Sequence, residues 1–226
     1  MASLAEMSTL VSATEGITTV AMNDIVLLWS SVHDADPAVI RDTLLDVIPG
    51  VTREYSALNA ELATQWYADL DPASSFTPTP APPPPAPAIE ATVRWSVGPL
   101  FGVGKDTVVS LLAGGVQRHI ANTGRTTLLD NVGREKGARW ARHANANACG
   151  WCRMLATREP SYRSKAAALS SHDYCKCDAN VIRPGGVYER PKYVDQWERD
   201  YTNARNEVGG KTNDIVNYLR RNGART

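Results

Sequence analysis

The sequence predicts a mainly α-helical protein with a small α+β, cysteine-rich module in its C-terminal half. Three observations carry this. Apolar residues recur at spacings of three and four over long stretches before residue 70 and again after residue 193. Aromatics make up 7% of the chain, with six Trp and eight Tyr against two Phe, a balance that suits helices with half-buried anchors better than a β-sandwich core. The four cysteines all fall between Cys149 and Cys177. At 43% hydrophobic and 21% charged residues, the 226-residue chain can build a packed core of one or two domains.

The first predicted helix carries Ile17, Val20, Ile25, Leu28 and Trp29. Asp36-Pro37 then reads as an N-cap followed by proline at the first helical position. From there Leu44, Ile48, Val51, Tyr55, Leu58, Leu62 and Trp66 form one apolar stripe. Pro49-Gly50 interrupts it, so a kink or break is expected there. Trp29 and Trp66 read as core anchors. Eight of the fourteen prolines lie between Asp71 and Glu90, which predicts an extended, poorly packed spacer of polyproline II type. The same run also has the composition of a ligand for a proline-recognising partner. The chain therefore divides into an acidic helical domain (1–70), a Pro-rich linker (71–90) and a basic domain (91–226) holding a cysteine module at 145–183.

After the linker, Lys105 to Gly114 and Arg118 to Ile120 read as helical. Thr123-Gly124-Arg125-Thr126-Thr127 reads as a turn, with Thr126 or Thr127 capping a helix that continues through Leu128, Leu129 and Val132 towards Trp140. A later amphipathic helix runs from about Val194 through Trp197, Tyr201 and Ala204. Asn213 opens a final one with Ile215, Val216 and Leu219.

The formal charge is +0, but it is a cancellation. Residues 1–90 hold two basic side chains, Arg41 and Arg53, against twelve acidic ones, a net of −10. Residues 91–226 hold twenty-two basic and twelve acidic, a net of +10. Halves of opposite sign either have different partners or face each other. No apolar run approaches the ~18 residues that span a bilayer, and the N-terminus lacks the basic region of a signal peptide. No membrane partner is expected.

Two motifs invite chemistry. GVGKDT (Gly102 to Thr107) has the look of a phosphate loop. However, Pro99 stands where that motif needs glycine, and Asp106 stands where it needs Ser or Thr, so a glycine-rich turn is the better reading. The stronger motif is C-x₂-C at Cys149 and Cys152 followed by His172-x₂-Cys175-x-Cys177. Two such knuckles present thiolates and an imidazole to one tetrahedral Zn²⁺: Cys149 and Cys152 with Cys175, and either Cys177 or His172 as the fourth ligand. A site with four protein ligands is structural, and it contributes roughly 10–16 kcal/mol of apparent binding energy to a small module. Two disulfides, or four reduced thiols in the core, are the competing readings. A thioredoxin-like dithiol at Cys-Gly-Trp-Cys lacks a preceding βαβ pattern. A protease pair such as Cys149 with His143 or His172 lacks a recognisable orienting acid, although Asp173 and Asp178 lie near in sequence.

The segment RWARHANANACGWCRMLATREPSYRSKAAALSSHDYCKCDANVI resembles the cysteine module of MuF-like minor head proteins of tailed phages. RHIANTGRTT (residues 118–127) and EYSALNAELATQWYADLDP (residues 54–72) resemble the actinobacteriophage members encoded beside the portal. Proteins of that group are described either as minor capsid proteins or as capsid maturation proteases. The resemblance makes Cys149, Cys152, His172, Cys175 and Cys177 the family motif positions. Glu159-Pro160 after Arg158 departs from the glycine often found there. It implies a virion protein, at the capsid interior or portal vertex, with the portal and major capsid proteins as partners. Its role would lie in head morphogenesis and in genome packaging or ejection. A non-enzymatic role is expected first and a head protease second. The basic half is expected to touch packaged DNA non-specifically.

Overall fold

Asp36 opens the second helix as expected. In the computed structural model, which describes residues 4–158 and 177–223, helix α1 spans Leu4–Val32 and α2 spans Pro37–Asp69. The Asp36 carboxylate accepts the Ala38 N–H at 2.8 Å, and Pro37 occupies the first turn, where a missing N–H costs nothing. The two helices run antiparallel: Trp66 Nε1 donates to Glu6 O at 3.1 Å, and Tyr55 donates to Asp24 at 2.6 Å.

The expected break at Pro49-Gly50 is absent, and α2 runs through both residues. Proline in a helix interior costs about 3 kcal/mol. Here Ile48 on one side and Trp66 on the other are each fixed in a different apolar cluster, so a continuous rod serves two cores at once. The buried face of α2 also differs from the apolar stripe. Thr52, Ser56, Asn59, Ala60 and Ala63 are buried, whereas Leu58 is 52% exposed. Small and polar residues lie inward because another helix comes very close.

That helix is α4 (Val108–Arg134), which follows α3 (Ala86–Ser96) and two short 3₁₀ turns. The first of its predicted residues, Lys105 to Thr107, form one of those turns; the glycine-rich loop before it bends at Gly104, whose φ is 112°. The expected turn at Thr123 to Thr127 lies inside α4 instead. Two glycines there mark close approaches. A Cβ on Gly124 would sit 2.5 Å from Asn59 Nδ2 of α2, and one on Gly115 would sit 2.3 Å from Thr92 Cγ2 of α3. Every residue from Leu112 to Gln117 is buried, so α4 is the central helix, wrapped by α1, α2 and α3. A helix covered on all sides needs no polar face, and its buried polar residues bond neighbouring elements instead.

The Pro-rich segment is extended, as expected, with no helix through Pro82 to Pro85. It is not poorly packed. Asn131 of α4 clamps Thr79, accepting its N–H and donating to its carbonyl, both at 2.9 Å. Thr127 accepts the Ala81 N–H at 3.0 Å, Arg134 donates to Thr77 O at 3.1 Å, and Arg53 of α2 donates to Pro84 O at 3.1 Å. Thr127 is therefore a strap contact and not an N-cap. Residues on both sides of the strap share cores: Met7, Tyr67, Leu128, Trp140 and Val181 belong to one cluster, and Ile25, Leu44, Ile89, Leu112 and Ile120 to another.

The helix expected to continue towards Trp140 ends at Arg134. The chain turns at Gly137, with φ of 90°, into strand β1 (Arg139–His143). β1 pairs antiparallel with β2 (Asp178–Ile182), placing Trp140 opposite Val181 and His143 opposite Asp178. Between them lies α5 (Gly150–Ala156). The two C-terminal helices, α6 (Tyr193–Val208) and α7 (Thr212–Arg221), form where they were expected. The whole is mainly helical with one two-stranded sheet among the described residues.

Bundle and sheet are joined by a buried ion pair. Arg183, just after β2, lies with Nε 2.7 Å from Glu135 Oε2 and donates from Nη2 to Oε1 at 2.7 Å and from Nη1 to Tyr67 O at 2.9 Å. Tyr67 donates to Glu135 at 2.7 Å, and the guanidinium lies over the Tyr67 ring. Among the described residues, no helix is long and apolar enough to cross a membrane.

Candidate cysteine centre

Strand β1 and the start of α5 deliver the first knuckle. Cys149 sits at the residue before α5 in extended backbone, and Cys152 lies in its first turn. Cys177 is the residue before β2. All three are buried, at 9%, 3% and 3% exposed. They belong to one cluster with Ala144, Ala156, Val194 and Trp197, so α6 covers the cysteines from one side. His172 and Cys175 lie outside the described residues. Among the described residues, no three His, Cys, Asp or Glu side chains are grouped closely enough to hold a metal ion.

The surroundings of Cys177 are cationic. Arg142, on β1, donates to its Sγ from Nε at 3.3 Å and from Nη2 at 3.0 Å. A guanidinium has donors only, so the sulfur is the acceptor in both contacts. Arg125 of α4 reaches across to the Cys177 carbonyl at 2.8 Å. Both arginines are 3% exposed. Burial pushes the adjacent Asp178 carboxyl up to about 6, opposed by Arg125 and by the Ala179 N–H. Burial also pulls the His143 imidazole below its usual value. A small cavity of about 20 Å³, room for one water, lies between Thr14, Glu15, Gln117, Arg125 and Asp178.

Met154 and Leu155, the other face of α5, pack on Ala204, Ile215, Val216 and Leu219. The helix therefore faces α6 and α7 there, whereas Ala179 and Val181 of β2 lie against the bundle.

The chain matches the family described as VG15 protein over residues 1–204. It belongs to the VG15 family. That family is one of phage virion-gene proteins, so this is a phage protein. No curated protein and no solved structure matches the chain significantly.

In this VG15-family chain the residues that the sequence reading does not assign to the cysteine centre are Arg142, Arg125, Val194 and Trp197. Arg142 had one usable signal. It lies two residues after Trp140, which places both on one face of a strand, and a strand rather than a helix end was the reading needed. Arg125 was hidden because its segment reads as a turn.

Proposed function

We propose that this chain is a MuF-like minor head protein that associates with the portal and enters the procapsid, where it serves head morphogenesis and genome packaging or ejection. The observation that carries the reading is the family match over residues 1–204 to phage virion-gene proteins. A long helical bundle held together by its own strap suits a particle component that must survive assembly. In this reading the portal and major capsid proteins are the partners, and the capsid interior or portal vertex is the location.

The cysteine centre is read as a structural Zn²⁺ site of Cys149, Cys152 and Cys175 with Cys177 or His172. Cys149, Cys152 and Cys177 share one buried cluster, though they are not grouped closely enough to hold an ion by themselves, and the Arg142 donors suit a sulfur carrying charge. Bound zinc would cross-link the two knuckles and supply no chemistry to a substrate. Contact with DNA would fall to the exposed cations, such as Lys136, Arg139, Lys211 and Arg220. Arg125, Arg142 and Arg183 are buried and spent on internal acceptors. The alternative, a capsid maturation protease using Cys149, asks a 9%-exposed thiol in an apolar cluster to meet a peptide.

The test is co-expression with the portal and major capsid proteins. The chain is expected in purified procapsids, in an amount that depends on the portal. A chain left wholly outside the particles refutes the reading. Shortening of a capsid protein that one Ser, Cys or His substitution abolishes replaces it with the protease.

A further inference from the structure

Among the described residues, the Pro-rich strap keeps an exposed outer face. Polyproline II has three residues per turn, so every third residue shares a face. Burial along the strap tracks that period: Ala81 is buried and Pro78 and Pro84 are half-buried, as is Pro83, whereas Thr79, Pro82 and Pro85 are exposed. Pro80 is exposed beside them. Pro85 has φ −65° and ψ 142°, close to the ideal for this conformation. The contacts that fix the strap all go to backbone atoms of residues 77, 79, 81 and 84. The side chains of the outer row are left unengaged by those contacts, and the conformation is imposed from beneath.

We propose that residues 79–85 are a preordered polyproline II ligand, presented by α4 and α2 to a partner protein with an aromatic-lined, proline-recognising groove. Such grooves take ridges of prolines three residues apart, the spacing of Pro82 and Pro85. The ordering that a free peptide would undergo on binding is already complete here, which favours the intact chain as ligand. This inference stands on the strap geometry alone and is independent of the head-protein reading.

The experiment titrates isolated proline-recognition domains (an SH3, a WW, an EVH1 domain and profilin) by calorimetry with three ligands: the intact chain, a P82A/P85A variant, and a free peptide of residues 71–90. The expected result is a domain that binds the intact chain about three- to tenfold more tightly than the peptide, with that binding lost in P82A/P85A. The substituted side chains are exposed, so the variant is expected to keep the wild-type circular dichroism and melting midpoint. An S75A variant, exposed and outside residues 79–85, serves as a second folded control with unchanged binding. Binding of the peptide but not of the intact chain overturns the proposal, because the ridge is then masked. Equal binding by wild type and P82A/P85A, or binding of no ligand by any domain, overturns it as well.

Discussion

Three glycines in one helix respond to the same substitution with opposite signs, if α4 packs as described. In an ordinary helix interior, Gly→Ala stabilises by roughly 0.5–1 kcal/mol through lost unfolded-state freedom. Gly133 is exposed and a Cβ there meets nothing within 4 Å, so Gly133→Ala is expected to show that full gain. Gly124 is the contrary case. Its Cβ would lie 2.5 Å from Asn59 Nδ2 and 3.2 Å from Asn59 Cγ. Asn59 has little freedom to yield, because its Nδ2 donates to Ile120 O at 2.9 Å and its Oδ1 accepts from Thr14 at 3.0 Å. Overpacking costs about 1–3 kcal/mol, and a buried amide pushed off its partners costs about 1–3 kcal/mol more. Against a gain of about 0.5–1 kcal/mol, Gly124→Ala is expected to destabilise by about 1–5 kcal/mol. Gly115→Ala follows it, since the 2.3 Å clash falls on Thr92, whose hydroxyl is held by Ala88 O and His119. Urea unfolding followed by circular dichroism gives the midpoints, and an unchanged slope confirms that the folded state is being compared. If Gly124→Ala is as stable as Gly133→Ala, α2 and α4 do not approach as closely as stated, and the account of the central helix fails.

Glu135→Ala is expected to cost about 3–5 kcal/mol, because Arg183 is left buried and uncompensated; a double-mutant cycle with Arg183→Met should recover much of the loss, and simple additivity would refute the pairing. Cys149→Ser is expected to abolish zinc, measured as one equivalent per chain by elemental analysis of the wild type. It should also make α6 and α7 protease-sensitive while leaving residues 4–70 protected. A wild type purified without metal sinks the zinc reading. Burial and the hydrogen bond to Glu135 hold the Tyr67 phenol above its usual value. A raised acid contributes stability that is intact below about pH 10, the unfolded value, and is lost as pH rises through the folded one. Alkaline unfolding should therefore be less steep in Tyr67→Phe, and identical pH profiles would contradict the contact.

The parts of this fold that were legible in sequence are those whose local signals agree with their surroundings. Asp36-Pro37 caps a helix, and α6 and α7 are amphipathic because one side meets water. The prolines of the strap exclude helix by themselves. Helix α4 was fragmented in the reading because it has no wet face to set a period. Its glycines, Thr127 and Asn131 are turn formers by propensity, yet here they make room for α2 and α3 or hold the strap. At the candidate site, spacing brought Cys149, Cys152 and Cys177 to one cluster, whereas His172 and Cys175 lie outside the described residues. Arg142 was unreadable without the strand pairing that aims it at Cys177.

The central position of α4 also bears on how the chain emerges from the ribosome. Helices α1 and α2 are complete by residue 69, but the helix that covers their shared seam ends at residue 134. At about 5–20 residues per second, synthesis of the intervening stretch leaves that seam bare for roughly 3–13 s. During this interval Leu44, Ile48 and Tyr67 wait for partners that have not yet been made. The proline segment emerges in the same interval, before α4, which carries most of its hydrogen-bond partners, has been made. A product truncated at residue 90 would never receive its cover, so it would behave as an aggregating nascent intermediate and not as a free-standing helical domain.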